Sequence, residues 1–463
     1  MHCAGSSLGG RERVAMAVAK PTHVRYLIVG MLFLASSFSY GDRVALSIAG
    51  TAMQRELALD PVKLGLLLSG FSWAYVAGQL PSGGLLDRFG SKRVYGISII
   101  AWTICAFLTG FAGYVFPAMA FSTIFVLRLI SGLAQSPVFP GNGRIVAAWF
   151  PTAERGTASA VFNSSQYFAL VMFAPLFGWL VHSYGWRSCF WFMGVFGFGL
   201  AFLWWKAVHN VKEHPLISPA EIDHIEKGGG LANLDRAKGS KAAANPITWS
   251  GIKQLLSQRM LIGIYLGQFC ITTLTYFFIT WFPIYLVQAR HMSVLRGGFA
   301  VALPALCGSV GGVLGGVCSD SLLRHGHSLT VARKAPIIAG MLLSITMIAC
   351  NFTNVQSLVM FLMSLAFFGK GFGALGWTVI ADTSPRELIG LNGGVFNLFG
   401  NTAGITTPIV IGWLVKKTGS FNDALIFVGA TALLAIFSYV VIVGEIKRVE
   451  IRQPSRAANA VGE

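Results

Sequence analysis

Asp42 and Arg43 stand side by side in SSFSYGDRVALSIAG (36–50), within a stretch from Tyr26 to Ala49 that is otherwise almost wholly apolar. Two more cations sit in similar surroundings, Arg128 in FVLRLISG and Lys370 in AFFGKGFGALGW, while Asp382 lies nearer the end of its apolar run. In a polar pocket an arginine reads as an anion ligand, because its planar fork of donors matches a carboxylate. An aspartate beside it reads as a proton site: burial favours the neutral acid, and a nearby guanidinium favours the carboxylate. A carboxylate ligand on the arginine would strip the aspartate of its counter-charge, so anion and proton would bind with positive cooperativity. Adjacent helical residues point about 100° apart, so Asp42 and Arg43 need separate partners. The plainer readings are a buried ion pair that fixes helix register and, for Lys370, a side chain reaching back to an interface.

The elements that hold these charges follow from composition. Of the 463 residues 54% are hydrophobic and 11% charged, against roughly 25% charged in a soluble domain. Apolar runs of about 18 residues or more recur along the chain, the mark of membrane-spanning helices. The first run is too long for a signal peptide and lacks a small-residue cleavage site. Each charge at the centre of such a helix costs about 2.5–3.5 kcal/mol on insertion scales, so the intramembrane charges must face a polar cavity or one another.

The reading is an all-α membrane protein with twelve transmembrane helices in two six-helix bundles, at 26–205 and 259–443. Residues 1–25 and 444–463 form tails, and 206–258 a cytoplasmic linker whose run KGGGLANLDRAKGSKAAANP reads as solvated. The linker's last part, WSGIKQLLSQRM, reads as a short amphipathic helix. Pro137, Pro140, Pro283, Pro304 and Pro408 mark expected kinks. Lys and Arg concentrate in the loops and tails on the amino-terminal side, which places both termini in the cytoplasm. The net charge of +17 therefore reflects topology, and no nucleic-acid partner is expected. The seven cysteines and nine histidines show no metal-ligand spacing. With no nucleophile–base pair or phosphate loop, neither an enzyme nor a cofactor is expected.

Two loops repeat. GGLLDRFGSKR (83–93) follows the second span and GGVCSDSLLRHG (315–326) the eighth, with Gly83 four residues before Asp87 and Gly316 four before Asp320. Small residues there let helix ends approach, and the aspartate can meet a helix N-terminus or an arginine on the cytoplasmic rim. Gly83, Asp87, Arg88, Gly90, Lys92 and Arg93 resemble the signature loop of the major facilitator superfamily. That resemblance implies two bundles around a midplane site exposed alternately to either side, and makes Arg128 on span 4 the natural neighbour of Asp42 on span 1. The loop residues, with Asp320, are then a gating motif. Cations on both sides of a central cavity, with Lys370 in the second half, would suit a ligand carrying a carboxylate at each end.

Polar residues within spans (Tyr40, Tyr75, Gln79, Asn142, Asn163, Ser165, Gln166, Trp377, Asn397 and Asn401) are candidates for a hydroxyl-binding lining or for interhelical contacts. The segments YGDRVALSIA, PVFPGNGRIVAAWFP, ERGTASAVFNSSQYFA, YFFITWFPIYLVQ and ADTSPRELIGLNGGVFNLFGN resemble the sugar-acid carriers of the anion:cation symporter family, most of all its bacterial glucarate/galactarate branch. The resemblance implies a proton symporter of the bacterial inner membrane, acting as a monomer on a small sugar-acid anion in a lipid bilayer, with protons as coupling ion. It assigns substrate binding to Tyr40, Arg43, Tyr75, Arg128, Gln166, Lys370, Trp377 and Asn397, and proton coupling to Asp42. Lys370 suits the diacid branch, since galactonate-type carriers have a neutral residue there. Gln135 stands where the family usually has a titratable glutamate. Either Asp42 couples alone, or Gln135 is an engineered mimic of a protonated acid. The alternatives to a diacid importer are a carrier of a monocarboxylate sugar acid (galactonate or a hexuronate) and a non-transporting nutrient sensor.

Overall fold

A computed structural model describes residues 22–114, 117–234, 249–385 and 388–450. The expected tails before residue 22 and after 450, and linker residues 235–248, lie outside the described residues. The described residues form two compact units, one within 1–240 with 294–298 and the other within 241–293 with 299–463.

The first unit holds seven long helices: α1 (Val24–Glu56), α2 (Pro61–Phe89), α3 (Ser91–Thr109), α4 (Ala120–Gln135), α5 (Val138–Trp149), α6 (Arg155–Tyr184) and α7 (Arg187–Ala207). The helices α4 and α5 form one crossing, Pro117–Trp149, interrupted at Ser136 and Pro137. α1 packs along α6, α2 along α4 and α3 along α7. At the start of α2, Asp60 accepts from the backbone N–H of Lys63 at 2.7 Å and Pro61 fills the first helical position, where its missing N–H is no loss. Gly90, at φ +80°, ends α2 and begins α3 with no loop between them; only glycine takes that conformation without strain. Large apolar side chains such as Val195 and Phe202 are exposed, as a surface against lipid requires.

After α7 the chain does not leave the unit. Residues 208–234, read from sequence as part of the cytoplasmic linker, fold onto it around a short helix, α8 (Pro219–Lys227). Ser218 caps α8 by accepting from the Glu221 N–H, one half of the capping box that the Ser-x-x-Glu spacing offers. The fully buried Glu221 carboxylate turns to α1 instead, accepting from the N–H groups of Val24 and Arg25 at 3.1 and 3.2 Å and from Arg25 Nη1 at 3.1 Å. It thus satisfies donors that the first turn of α1 would leave orphaned. Arg25 Nε also donates to Glu154 at 2.9 Å. Burial pushes the Glu154 carboxyl up, but hydrogen bonds from His224 and Arg25 outweigh it and hold the acid below its usual range. Linker composition hid this fold because it rests on one carboxylate meeting a distant helix end.

The second unit begins with α9 (Trp249–Leu256), the amphipathic helix expected from WSGIKQLL. There follow α10 (Arg259–Tyr276), a π-helical turn at Phe277–Trp281, α11 (Phe282–Gln288), α12 (Val294–Arg324), α13 (Leu329–Ser344), α14 (Gln356–Phe372), α15 (Gly376–Thr383), α16 (Ile389–Thr418) and α17 (Asn422–Phe437). α10 packs along α16 and α17, and α13 along α14. Pro283 sits at the π-helical irregularity, whereas Pro304 and Pro408 lie inside unbroken helices.

Among the described residues eleven helical segments are long and apolar enough to cross a bilayer. The 29-residue α2, with charges confined near its ends, is the twelfth. The spans fall into two sets of six, and an even number of crossings returns the chain to the side from which it started.

Candidate functional site

In the first unit α1 and α4 bring the intramembrane charges together. Asp42 is buried, and its Oδ2 accepts from Arg128 Nη1 at 2.8 Å, Gln135 Nε2 at 3.2 Å and Ser131 Oγ at 3.3 Å. Gln135 in turn accepts from Ser39 Oγ at 2.6 Å through its Oε1. Arg128, Ser131 and Gln135 recur at three- and four-residue spacing, which puts them on one face of α4. Sequence reading missed Ser131 and Ser39; the spacing on α4 is the signal that could have found Ser131, and the position of Ser39 one turn before Asp42 on α1 could have found it in the same way.

Arg43 has a different environment. It is 8% exposed, and its Nε and Nη2 have no hydrogen-bond partner among the described residues. Its guanidinium carbon lies 4.2 Å from the centre of the Phe71 ring, 4.9 Å from that of Tyr40 and 5.2 Å from that of Tyr75. Aromatic faces stabilise a buried guanidinium while leaving its in-plane donors unused. The helix break at Ser136–Pro137 falls directly after Gln135, so the polar cluster sits at the end of α4, where carbonyls need partners outside the helix.

Lys370 is buried in the last turn of α14, 5.5 Å from the centre of the Phe367 ring. There the carbonyl ends of α14 favour a cation. The chain breaks at Gly373–Leu375 before α15, so Lys370 lies at an interruption of the span Gln356–Thr383. Gly371 packs against the backbone of Gly308 and Gly312 on α12. In the same unit Asn401 Nδ2 donates to Asn397 Oδ1 at 3.0 Å, and Tyr276 OH to Asn401 Oδ1 at 3.3 Å. Trp377 is 56% exposed and meets Phe396 edge-on at 5.0 Å. Back in the first unit, Gln166 is half-buried and donates to its own helix, at the carbonyl of Asn163.

The two motif loops are helix ends. Asp87 pairs with Arg144 on α5, and Asp320 with Arg333 on α13 at 3.5 Å. Arg333 also binds Asp382 at 2.8 Å and Ser319 at 2.7 Å. Both aspartates thus meet an arginine, one of the two partners the sequence allowed. The close approach expected of the small residues is met at Gly315, where a Cβ would fall on the Phe372 carbonyl oxygen, and not at Gly83 or Gly316, where a Cβ would have no heavy atom within 4 Å. Arg88 stacks on Phe89 at 5.2 Å, Lys92 is half-buried and Arg93 is exposed. Arg333 and Arg25, each paired with two acids near the start of its helix, join Arg43, Arg128 and Lys370 as buried cations. Their positions near helix starts concealed them as rim charges.

Residues 32–332 match the Major Facilitator Superfamily. The chain belongs to this superfamily. Among superfamily members it is 58% identical, over 94% of its length and 95% of the relative's, to the "Probable galactarate/D-glucarate transporter GudP" of Bacillus subtilis (strain 168). It is 39% identical, over 94% of its length and 99% of the relative's, to the "D-galactonate transporter" of Escherichia coli O6:H1. A crystal structure of the D-xylose-proton symporter shares the superfamily fold, with a TM-score of 0.69, 14% identity and coverage of 91% of this chain and 98% of the other.

Proposed function

We propose that this chain imports the hexaric diacids galactarate and D-glucarate together with protons, by alternating access across the bacterial inner membrane. The observation that carries the reading is the pairing on α1 of a buried arginine whose Nε and Nη2 lack partners, Arg43, with an aspartate held by Arg128. The substrate named for a relative of more than half identity supports the choice of sugar acid. Arg43 in the first unit and Lys370 in the second are carboxylate ligands. Asp42 is the proton site, and Arg128 its counter-charge; Gln135 orients Asp42 without titrating. Tyr40, Tyr75, Gln166, Trp377 and Asn397 meet the hydroxyls. When the substrate draws on the guanidinium field, Asp42 binds a proton more readily, which couples the two fluxes. The Gly83–Arg93 motif and Asp320 gate the cytoplasmic side, and the working unit is a monomer. A monocarboxylate importer is the second reading, supported by the galactonate relative, which is the more distant of the two.

The test is uptake of galactarate, D-glucarate, galactonate and glucuronate into proteoliposomes, with and without an inward proton gradient. Gradient-driven accumulation of the two diacids ahead of the monoacids is expected. Equal or greater accumulation of galactonate would overturn the diacid assignment, and accumulation indifferent to the gradient would overturn the coupling.

A further inference from the structure

Phe71 carries no polar side-chain atom and belongs to none of the sequence motifs, yet its ring lies against both Arg43 and Arg128. It is 1% exposed, with Arg43 Cζ 4.2 Å and Arg128 Cζ 5.5 Å from its ring centre. Its ring stacks on that of Tyr75, one helical turn away, at 5.3 Å. Backbone packing fixes it there: a Cβ on Gly132 would fall on the Phe71 carbonyl oxygen, and one on Gly70 would stand 2.9 Å from the Phe125 ring. The glycines thus let α2 and α4 close until Phe71 meets Arg128.

We infer that Phe71 is a positioning residue for transport: its π face holds Arg43 and Arg128 oriented around a single aspartate, leaving the Arg43 donor edge for a substrate carboxylate. This rests on the reading of Arg43 as the carboxylate ligand. Two buried guanidiniums and one carboxylate leave an excess positive charge in a low-dielectric setting, where charge is costly. A hydrogen-bonding neighbour would relieve that cost by occupying N–H groups, and so would compete with substrate. An aromatic face relieves it through the ring quadrupole, perpendicular to the donors. The unpartnered Nε and Nη2 of Arg43 and Nε of Arg128 are what such an arrangement leaves behind. A leucine or methionine at this place would fill the volume without supplying the field.

The experiment compares initial galactarate uptake by the full-length protein and its Phe71→Leu, Phe71→Tyr and Arg43→Lys variants in proteoliposomes. Phe71→Leu should raise KM about tenfold with kcat within about twofold, and Phe71→Tyr should restore KM to within about threefold of the unsubstituted protein. If Phe71→Leu does not fold, Phe71→Met carries the same comparison. An unchanged KM in the ring-less variant overturns the inference. So does an equal loss in the leucine and tyrosine variants, which would make ring volume the requirement. Arg43→Lys keeps the charge and loses the fork; unchanged KM there removes the carboxylate-ligand reading itself, a pattern distinct from failure at Phe71 alone.

Discussion

Asp42 and Arg43 are neighbours in sequence and do not pair: the Asp42 carboxylate accepts from Arg128 at 2.8 Å, while Arg43 turns into the rings of Phe71, Tyr40 and Tyr75. One helical step of about 100° separates a satisfied acid from a cation with unused donors. This division gives each residue a distinct expected phenotype.

Asp42→Asn should abolish uphill accumulation driven by an imposed pH gradient while leaving substrate exchange measurable. Gradient-driven uptake persisting in this variant would remove Asp42 from the coupling path. Arg128→Ala strands a carboxylate 1% exposed and should lower unfolding stability by about 3–5 kcal/mol, read as a fall in thermal unfolding temperature in detergent.

Gln135→Glu would set a second carboxyl where an amide now donates to Asp42 at 3.2 Å. Two carboxyls so close cannot both ionise cheaply, so they share a proton. Stronger proton-driven uptake with a steeper pH dependence is expected, and unchanged coupling would show that position 135 lies off the proton path.

Lys370→Ala should weaken uptake of galactarate and D-glucarate more than uptake of galactonate, because a monoacid has no second carboxylate to lose a partner. Equal losses for the two classes would rule out a carboxylate contact. Competition by unlabelled diacid and monoacid in the same vesicles provides the readout.

Glu221→Ala removes the carboxylate that joins α8 to α1 and leaves Arg25 with one acidic partner, Glu154. A loss of about 3 kcal/mol of stability is expected, together with earlier proteolysis within residues 208–234. An unfolding temperature equal to that of the unsubstituted protein would refute the capping role.

His214 links stability to pH. Its Nε2 lies 3.1 Å from the Ala207 carbonyl and its Nδ1 accepts from the Leu216 N–H at 3.2 Å, an arrangement only the neutral ring completes. Burial pushes its pKa below the ordinary histidine value, with the Ala207 carbonyl opposing in part. Burial likewise lowers His209, aided by Lys92. The unfolded chain therefore binds protons first, so stability is full above the ordinary histidine value and falls as pH drops through it. Unfolding temperatures measured from pH 8 to 5 should decline, and His214→Gln should flatten the decline; identical slopes would refute the assignment.

Hydrophobic runs, loop charge and the repeated Gly-x-x-x-Asp motif determine by themselves that this is a twelve-span membrane protein, because a bilayer leaves helices as the apolar solution and charge sets their orientation. The rarity of charge in those runs likewise singled out Asp42, Arg43, Arg128 and Lys370. Pairing was another matter. Phe71 looks like any lipid-facing phenylalanine until Gly132 lets α4 approach α2, and Glu221 looks like a linker acid until it caps α1. Ion pairs and ring contacts join residues far apart in the chain, so their partners depend on helix rotation and approach. Local composition records neither; tertiary packing decides both.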